Sequence, residues 1–331
     1  MKAQLILILM SSFINVLAQN HGQHYPIGEN PNIRWMSSYL GQEVILFEAN
    51  PTVRFSVYNN FEEGLAKKKH TEAWYISARP QLRMYDEASK PVKTPSYRIN
   101  LGTQHMWRLL SKKQKHYVGF SFETGHYSNG QAGCAFSTEF EDGSVECDSI
   151  YGTINSSTEL SGIFNRKSGN FSTNQTELIL NYRIYNLDDQ GYPRKMHSFN
   201  LGYNLYHDGL LGVIPVGGYA DDDIKIYGRH RYLVGYEYMR AFGVKGGVRL
   251  SVKQKFEIIQ GGHNDINPIR SESKFTFYPF PNSKALGFLV SYIYGHDNYN
   301  LRFVDSGHQI TTGITWDQFP PLQVVLPADE N

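Results

Sequence analysis

Runs of about ten residues in which apolar and polar side chains alternate, with no later apolar run long enough to be a spanning helix, constrain this 331-residue chain most. In Asn174 to Ile184, Thr176, Leu178, Leu180, Tyr182 and Ile184 take one parity, while Gln175, Glu177, Asn181 and Arg183 take the other. Near the C-terminus Ile310, Thr312, Ile314 and Trp316 alternate with Gln309, Thr311, Gly313, Thr315 and Asp317. Period two belongs to a strand with two unlike faces. Such runs start near Pro51, Thr71, Ser96, His116, Phe171, Lys195, Arg231, Val244, Glu272, Lys284, Tyr299 and His308, separated by turn-rich connections. Twelve is even, as a closed single-chain bacterial barrel requires. The sequence therefore predicts an all-β fold: a transmembrane antiparallel β-barrel of 12 strands over residues 47–319, multi-pass in a bacterial outer membrane.

Composition agrees with this architecture. Aromatic residues make up 14%, with 23 Tyr and 30 Gly, as suits aromatic girdles and tight turns. Mean hydropathy is slightly negative, as expected when half of each strand faces a polar interior. Thirty-two basic residues against 31 acidic ones give no electrostatic grip on nucleic acid. Met1-Lys2, the apolar run Leu5 to Met10 and the small residues at Val16 and Ala18 predict a signal peptide over 1–18. Residues 19–46 are predicted to form a periplasmic lead-in with little regular structure, and 320–331 a C-terminal tail. The only cysteines, Cys134 and Cys147, are expected to bridge in an exported protein. They lie in the stretch Asn129 to Gly169, which reads as a long structureless loop and hence an exposed or functional one.

That loop follows VGFSFETGHYS, Val118 to Ser128. Odd positions there are small or polar, whereas Val118, Phe120 and Phe122 share the even face with His126 and Ser128. On a membrane barrel that face looks at lipid, where a serine nucleophile and an imidazole base could meet an acyl ester. Hairpin pairing makes the next strand the donor of a third group. Its even face begins with Asn170, Ser172 and Asn174, and a neutral Asn costs less near hydrocarbon than a carboxylate. Lys67-Lys68-Lys69-His70 reads as a solvated turn. His207-Asp208 and Asp221 to Asp223 lack metal-ligand spacing, and the triplets at Asn155, Asn170 and Asn174 read as chance glycosylation matches.

GHYSNGQ, Gly125 to Gln131, resembles the active-site strand of the bacterial outer-membrane phospholipase A family, whose core is His-x-Ser-Asn-Gly. Ser89-Lys90-Pro91, with Thr94 and Tyr97 following, is similar to the family's Ser-x-Pro segment. Ser172-Thr173-Asn174 is similar to its Ser-x-Asn, and Tyr292 to Phe319 to its closing strands. The resemblance implies hydrolysis of acyl esters of glycerophospholipids and lysophospholipids, with Ser128 as nucleophile, His126 as general base then acid, and Asn174 orienting His126. It also implies a Ca2+ ion held by Ser89 of one protomer and by backbone oxygens of Gln131 and Asn170 of the other, so that the active species is a homodimer. Gln131 stands where the family often has Arg, and Asn170 where it often has Ser. A non-enzymatic porin or transporter is the alternative on the same architecture, but it gives no reason for His126, Ser128 and Asn174 on the apolar face. A lipid A deacylase also uses His and Ser, on a barrel of fewer strands.

Overall fold

The computed structural model describes residues 27–317 apart from 29–30, 41–42, 62–67, 90–91, 110–114, 188–192, 211–213, 215–216, 243–246 and 281–284. The predicted signal peptide and C-terminal tail lie outside the described residues. One antiparallel sheet contains β1 (Asn32–Tyr39), β2 (Ile45–Asn50), β3 (Val53–Asn59), β4 (His70–Tyr85), β5 (Val92–Leu109), β6 (Lys115–Ser128), β7 (Ser172–Leu187), β8 (Pro193–His207), β9 (Gly228–Phe242), β10 (Val248–Gly262), β11 (Ile269–Tyr278), β12 (Leu286–His296) and β13 (Ser306–Asp317). β1 pairs with both β13 and β2, and β2 pairs with β4, so the sheet closes on itself. β2 lies against Leu82–Tyr85 and β3 against Ala73–Ala78 of the same β4 edge. They are one lane broken at Pro51, which has no N–H for the ladder. The thirteen segments thus make a 12-strand barrel.

The number twelve is as expected, but two strand positions differ. β1 falls within the stretch 19–46, where no strand is predicted. Its outward residues Ile33, Trp35 and Tyr39 are interrupted by Ser37, and inward Met36 is apolar, which blurs the alternation. The run predicted as a strand near Tyr299 is instead a loop with a 3-10 turn at Arg302–Val304. Tyr299, Leu301 and Phe303 alternate with Asn300 and Arg302, yet all five are buried, and Asn300 has φ 57. That segment plugs the barrel end, and its apparent period two is accidental.

Outward positions carry Ile99, Leu101, Leu180, Leu201, Val234 and Phe288, all exposed. All four tryptophans, Trp35, Trp74, Trp107 and Trp316, are exposed on strand segments near the short-turn end. An apolar belt with an aromatic girdle on a closed barrel is the lipid-facing surface of a membrane-spanning protein, whose backbone groups must all pair internally. Inside, Tyr75 and Asn100 donate to Glu123 at 2.7 and 3.1 Å, and Arg79 pairs with the same carboxylate. Arg83 bridges Glu48 and Asp297, both at 2.6 Å. Two apolar clusters cap this polar interior. Tyr127, Phe136, Phe164, Phe171, Tyr227 and Phe303 belong to one at the long-loop end, and Ile27, Phe61, Met106, Tyr117 and Tyr185 to another at the short-turn end.

The Asn129 to Gly169 stretch is folded, contrary to its reading as structureless. It holds α1 (Val145–Thr153) and the short α2 (Leu160–Ile163). The Ser144 hydroxyl accepts from the Cys147 N–H at 3.1 Å and caps α1. Asn165 donates to the carbonyls of Cys134 and Ser137, at 3.0 and 2.8 Å, and so replaces backbone partners. Leu160 and Phe164 anchor the stretch in the upper cap. Polar, Gly-rich composition hid this because the anchors are few and irregularly spaced. The Cys134–Cys147 disulfide is present and closes a separation of 13 residues. For a loop of that size the cross-link should be worth about 3 kcal/mol, borne by this segment. Replacing both cysteines with serine should leave the heat-modifiable gel mobility of the barrel unchanged while making residues 129–169 cleavable by protease, and equal resistance to cleavage would show that the apolar anchors suffice.

Candidate active site

β6 and β7 pair so that His126 faces Asn174 directly and Ser128 faces Ser172. On the other side β5 places Ile99 opposite His126 and Tyr97 opposite Ser128. Even positions of β6 point outward, since Val118 is exposed while Tyr117, Glu123 and Tyr127 are buried. The register therefore places His126, Ser128 and Asn174 on the outer face at the long-loop end, with His126 and Asn174 directly paired and Ser128 the next outward position along β6, not hydrogen-bonded to His126.

His126 Nδ1 lies 3.2 Å from Asn174 Oδ1. The Asn174 side chain is fully buried, and its Nδ2 donates to the carbonyls of Asp208 and Gly217. Carbonyl oxygens only accept, so the amide nitrogen must face them and Oδ1 must face His126. Nδ1 then carries the imidazole proton, and Nε2 is left with its lone pair outward. His207, across from Asn174 on β8, makes a useful contrast. Its Nδ1 donates to Gly209 O at 2.8 Å and its Nε2 meets Thr176 Oγ1 at 2.9 Å, with Thr124 Oγ1 a further 2.9 Å on. Both nitrogens of His207 are engaged. Among the described residues, His126 Nε2 and Ser128 Oγ have no hydrogen-bond partner.

The surroundings fix these positions. Tyr127, between the two residues, points inward and accepts from the Asn300 N–H at 3.0 Å, with Phe171 at 5.1 Å between ring centroids. Asn129 accepts from the Phe171 N–H at 3.0 Å and donates to Gly169 O at 2.8 Å, which closes the base of the loop beside Ser128. Gly125 must lack a side chain, because a Cβ would meet Ile99 O at 2.0 Å. Gly217, with φ 56, packs on the imidazole, where a Cβ would fall 2.5 Å from Cε1. Nothing in the local sequence marks Asp208 and Gly217 as partners of Asn174, since both come from a connection beyond β8.

Of the predicted calcium residues, Gln131 and Asn170 lie at the two ends of the same loop. Among the described residues their backbone carbonyls accept no hydrogen bond. The Asn170 side chain donates to the Asp142 carboxylate at 2.7 Å, which makes Asp142 a neighbouring anionic oxygen that sequence reasoning missed. Ser89 is exposed in the turn after β4, at the same end of the barrel, with φ 65.

These features define the class: an outer-membrane β-barrel with a buried polar interior and a Ser-His-Asn cluster on its lipid-facing wall. The chain is similar over most of its length to outer membrane phospholipase A from Escherichia coli, at 11% identity and TM-score 0.49, covering 89% of this chain and 95% of that one. A Salmonella typhi outer membrane phospholipase dimer with bound calcium gives 12% identity and TM-score 0.49, covering 92% and 97%. The KdgM porin gives 10% identity and TM-score 0.32, covering 86% and 98%. No family model and no curated protein sequence matches the chain.

The loop is coupled to this site through α3 (Asp221–Tyr227), which follows the Gly217 segment. Tyr151 donates to Asp223 at 3.1 Å. Withdrawal from water beneath the loop raises the Asp223 carboxyl from 3.8 to about 7, against the Tyr151 hydrogen bond, which pulls it down. The folded state thus favours the protonated acid, so this stabilisation is complete below about pH 4 and is lost as pH rises through about 7. Protease susceptibility of the 129–169 segment should increase over that interval, and Asp223→Asn should flatten the dependence, whereas an unaltered profile would place the carboxyl in contact with water.

Proposed function

We propose that this protein hydrolyses acyl ester bonds of glycerophospholipids and lysophospholipids from the lipid-facing side of the barrel, with Ser128 as nucleophile, His126 as general base and acid, and Asn174 orienting His126. The observation that carries this reading is the outward His126, whose Nδ1 is committed to Asn174 and whose Nε2 has no hydrogen-bond partner among the described residues, with Ser128 the next outward position on the same strand. Apolar Ile99, Leu101 and Leu178 around the cluster suit the acyl chains of a membrane lipid.

His126 Nε2 takes the proton of Ser128 Oγ as the oxygen attacks the ester carbonyl carbon. The imidazolium is favoured by Asn174 Oδ1, which accepts from Nδ1–H. On collapse of the tetrahedral intermediate the bond to the glycerol oxygen breaks, and the Nε2 proton passes to that leaving oxygen. Water, deprotonated by the same nitrogen, then attacks the acyl-serine and releases the fatty acid and the free hydroxyl of Ser128. The amide of Asn174 does for the imidazole what a buried carboxylate does in the triads of soluble hydrolases, without placing a charge against lipid.

Calcium binding fits the residues present. Gln131 and Asn170 offer backbone carbonyl oxygens, Asp142 a carboxylate, and Ser89 of a partner subunit would complete a set of hard oxygen donors. Positive charge beside the developing oxyanion is the chemistry the ion would supply. On this reading the active species is a homodimer.

The porin alternative is disfavoured because an aqueous channel needs an open interior. Here apolar clusters cap both ends and the Arg79–Glu123 pair crosses the interior between them.

Hydrolysis of phospholipid in mixed micelles is the deciding assay. Ser128→Ala should abolish it, and Asn174→Ala should lower kcat by about two orders of magnitude with the calcium requirement unchanged. Asn170→Ala should leave turnover near wild type, because a backbone ligand survives side-chain truncation. Full activity in Ser128→Ala would remove the enzyme assignment. Chelation with EDTA should stop turnover and reduce cross-linkable dimer together, and turnover undiminished in excess EDTA would take calcium out of the mechanism.

A further inference from the structure

The opposite end of the same wall carries a second outward polar cluster. His70 and Glu72 stand two residues apart on β4, and in the β4–β5 register Glu72 faces His105 while His70 faces Trp107. His70 is the first residue of β4, although the sequence pattern places it in a solvated turn. His70 Nε2 lies 3.2 Å from His105 Nδ1, and Glu72 Oε2 lies 3.1 Å from that same nitrogen. The potential ligand atoms of all three lie within 4.8 Å of one another.

The Thr103 hydroxyl determines which nitrogen of His105 is available. It donates to Ala73 O at 3.0 Å, and it lies 3.0 Å from His105 Nε2. Having spent its one proton on the carbonyl, it can only accept from the imidazole, so Nε2 carries the hydrogen and, in the neutral ring, Nδ1 turns its lone pair toward His70 and Glu72. A metal-ligating histidine characteristically donates its other ring N–H to such an outer partner. A neutral imidazole lone pair and a carboxylate oxygen 3.1 Å apart repel unless positive charge sits between them. The two separations, 3.2 and 3.1 Å, also approach the ligand–ligand edge of about 3.3 Å expected for a tetrahedral ion with bonds near 2.0–2.1 Å.

We propose that His70, Glu72 and His105 form a binding site for a divalent transition-metal ion of the zinc class, on the outer face at the short-turn end of the barrel. Two imidazoles and one carboxylate select zinc, copper or nickel over calcium and magnesium, which prefer an all-oxygen shell. Three protein ligands leave a fourth position for water or another oxygen donor. The ion would tie β4 to β5 beside Trp107, whose ring lies 5.0 Å from His70 and 5.7 Å from His105. This site shares no residue with the ester-hydrolysing cluster, and its test does not depend on hydrolysis.

Untagged, EDTA-dialysed protein in detergent micelles should bind one equivalent of Zn2+ per chain in competition with a chromophoric chelator, and millimolar Ca2+ should not displace it. His105→Ala should abolish saturable binding. Thr103→Val should weaken it by about 10- to 100-fold through loss of the outer partner. Zn2+ should raise the unfolding temperature of the wild type and not of His105→Ala. Should His105→Ala fail the heat-modifiable mobility test of folding, His70→Asn, at the end of its strand, carries the same comparison. Absence of saturable Zn2+ binding by the wild type, or wild-type binding retained by both His70→Asn and His105→Ala, would overturn the proposal.

Discussion

The primary amide of Asn174 is the contact on which the outer-face cluster depends. Its two ends have opposite hydrogen-bonding character, and each is held by a group with only one possible role. The carbonyls of Asp208 and Gly217 take the nitrogen, so the oxygen turns to His126 and selects its tautomer. Three segments distant in sequence meet here: the end of β6, the start of β7 and the connection after β8. Register supports them all, because a slip of one residue between β6 and β7 would turn His126 into the barrel and Tyr127 toward lipid. The slip is opposed from inside, where Glu123 is held by Tyr75 and Asn100, and Tyr127 by Asn300.

The interior thus sets the geometry of the exterior. Arg83 links β2 to the β12–β13 connection through Glu48 and Asp297, and Arg302 in that connection pairs with Asp305 at 3.3 Å and also with Glu43. Charged pairs buried among satisfied neighbours contribute little net stability but penalise any other arrangement. A wall held from behind in this way can present half-buried polar groups to lipid in fixed positions, which a flexible loop could not do.

Much of this arrangement was legible in the sequence because membrane strands follow two rules, period two and internal backbone pairing. Val118 to Ser128 and Asn174 to Ile184 obey both, so the alternation alone carries the outward parity of His126, Ser128 and Asn174. The exceptions occur where burial overrides parity. Asn300 to Phe303 alternates yet is buried on both parities, because it plugs the barrel, while β1 breaks its pattern with outward Ser37 and inward Met36. The order in residues 129–169 was hidden because side chains such as Asn129 and Asn165 replace backbone hydrogen bonds there, and no periodicity announces that. Gly217 was hidden for a different reason: only the three-dimensional approach to His126 gives its missing Cβ a purpose.

The outer face obeys a stricter rule than the interior, since a polar group there faces hydrocarbon unless something engages it. Thr124, Thr176 and His207 comply by forming a chain that ends on Gly209 O. His70, Glu72 and His105 comply only in part, for the carboxylate and the Nδ1 lone pair face each other. His126 and Ser128 comply least, with Nε2 and Oγ left without a partner among the described residues. Such a defect has a cost in a membrane wall, and surrounding packing must hold it in place. Gly125 and Gly217 do so here by allowing β5 and the connection after β8 to approach closer than any side chain would permit. Departures from outward apolarity therefore rank the wall by how far each polar group is engaged: a satisfied ladder at Thr124, Thr176 and His207, a partly engaged cluster at His70, Glu72 and His105, and His126 Nε2 with Ser128 Oγ unengaged among the described residues.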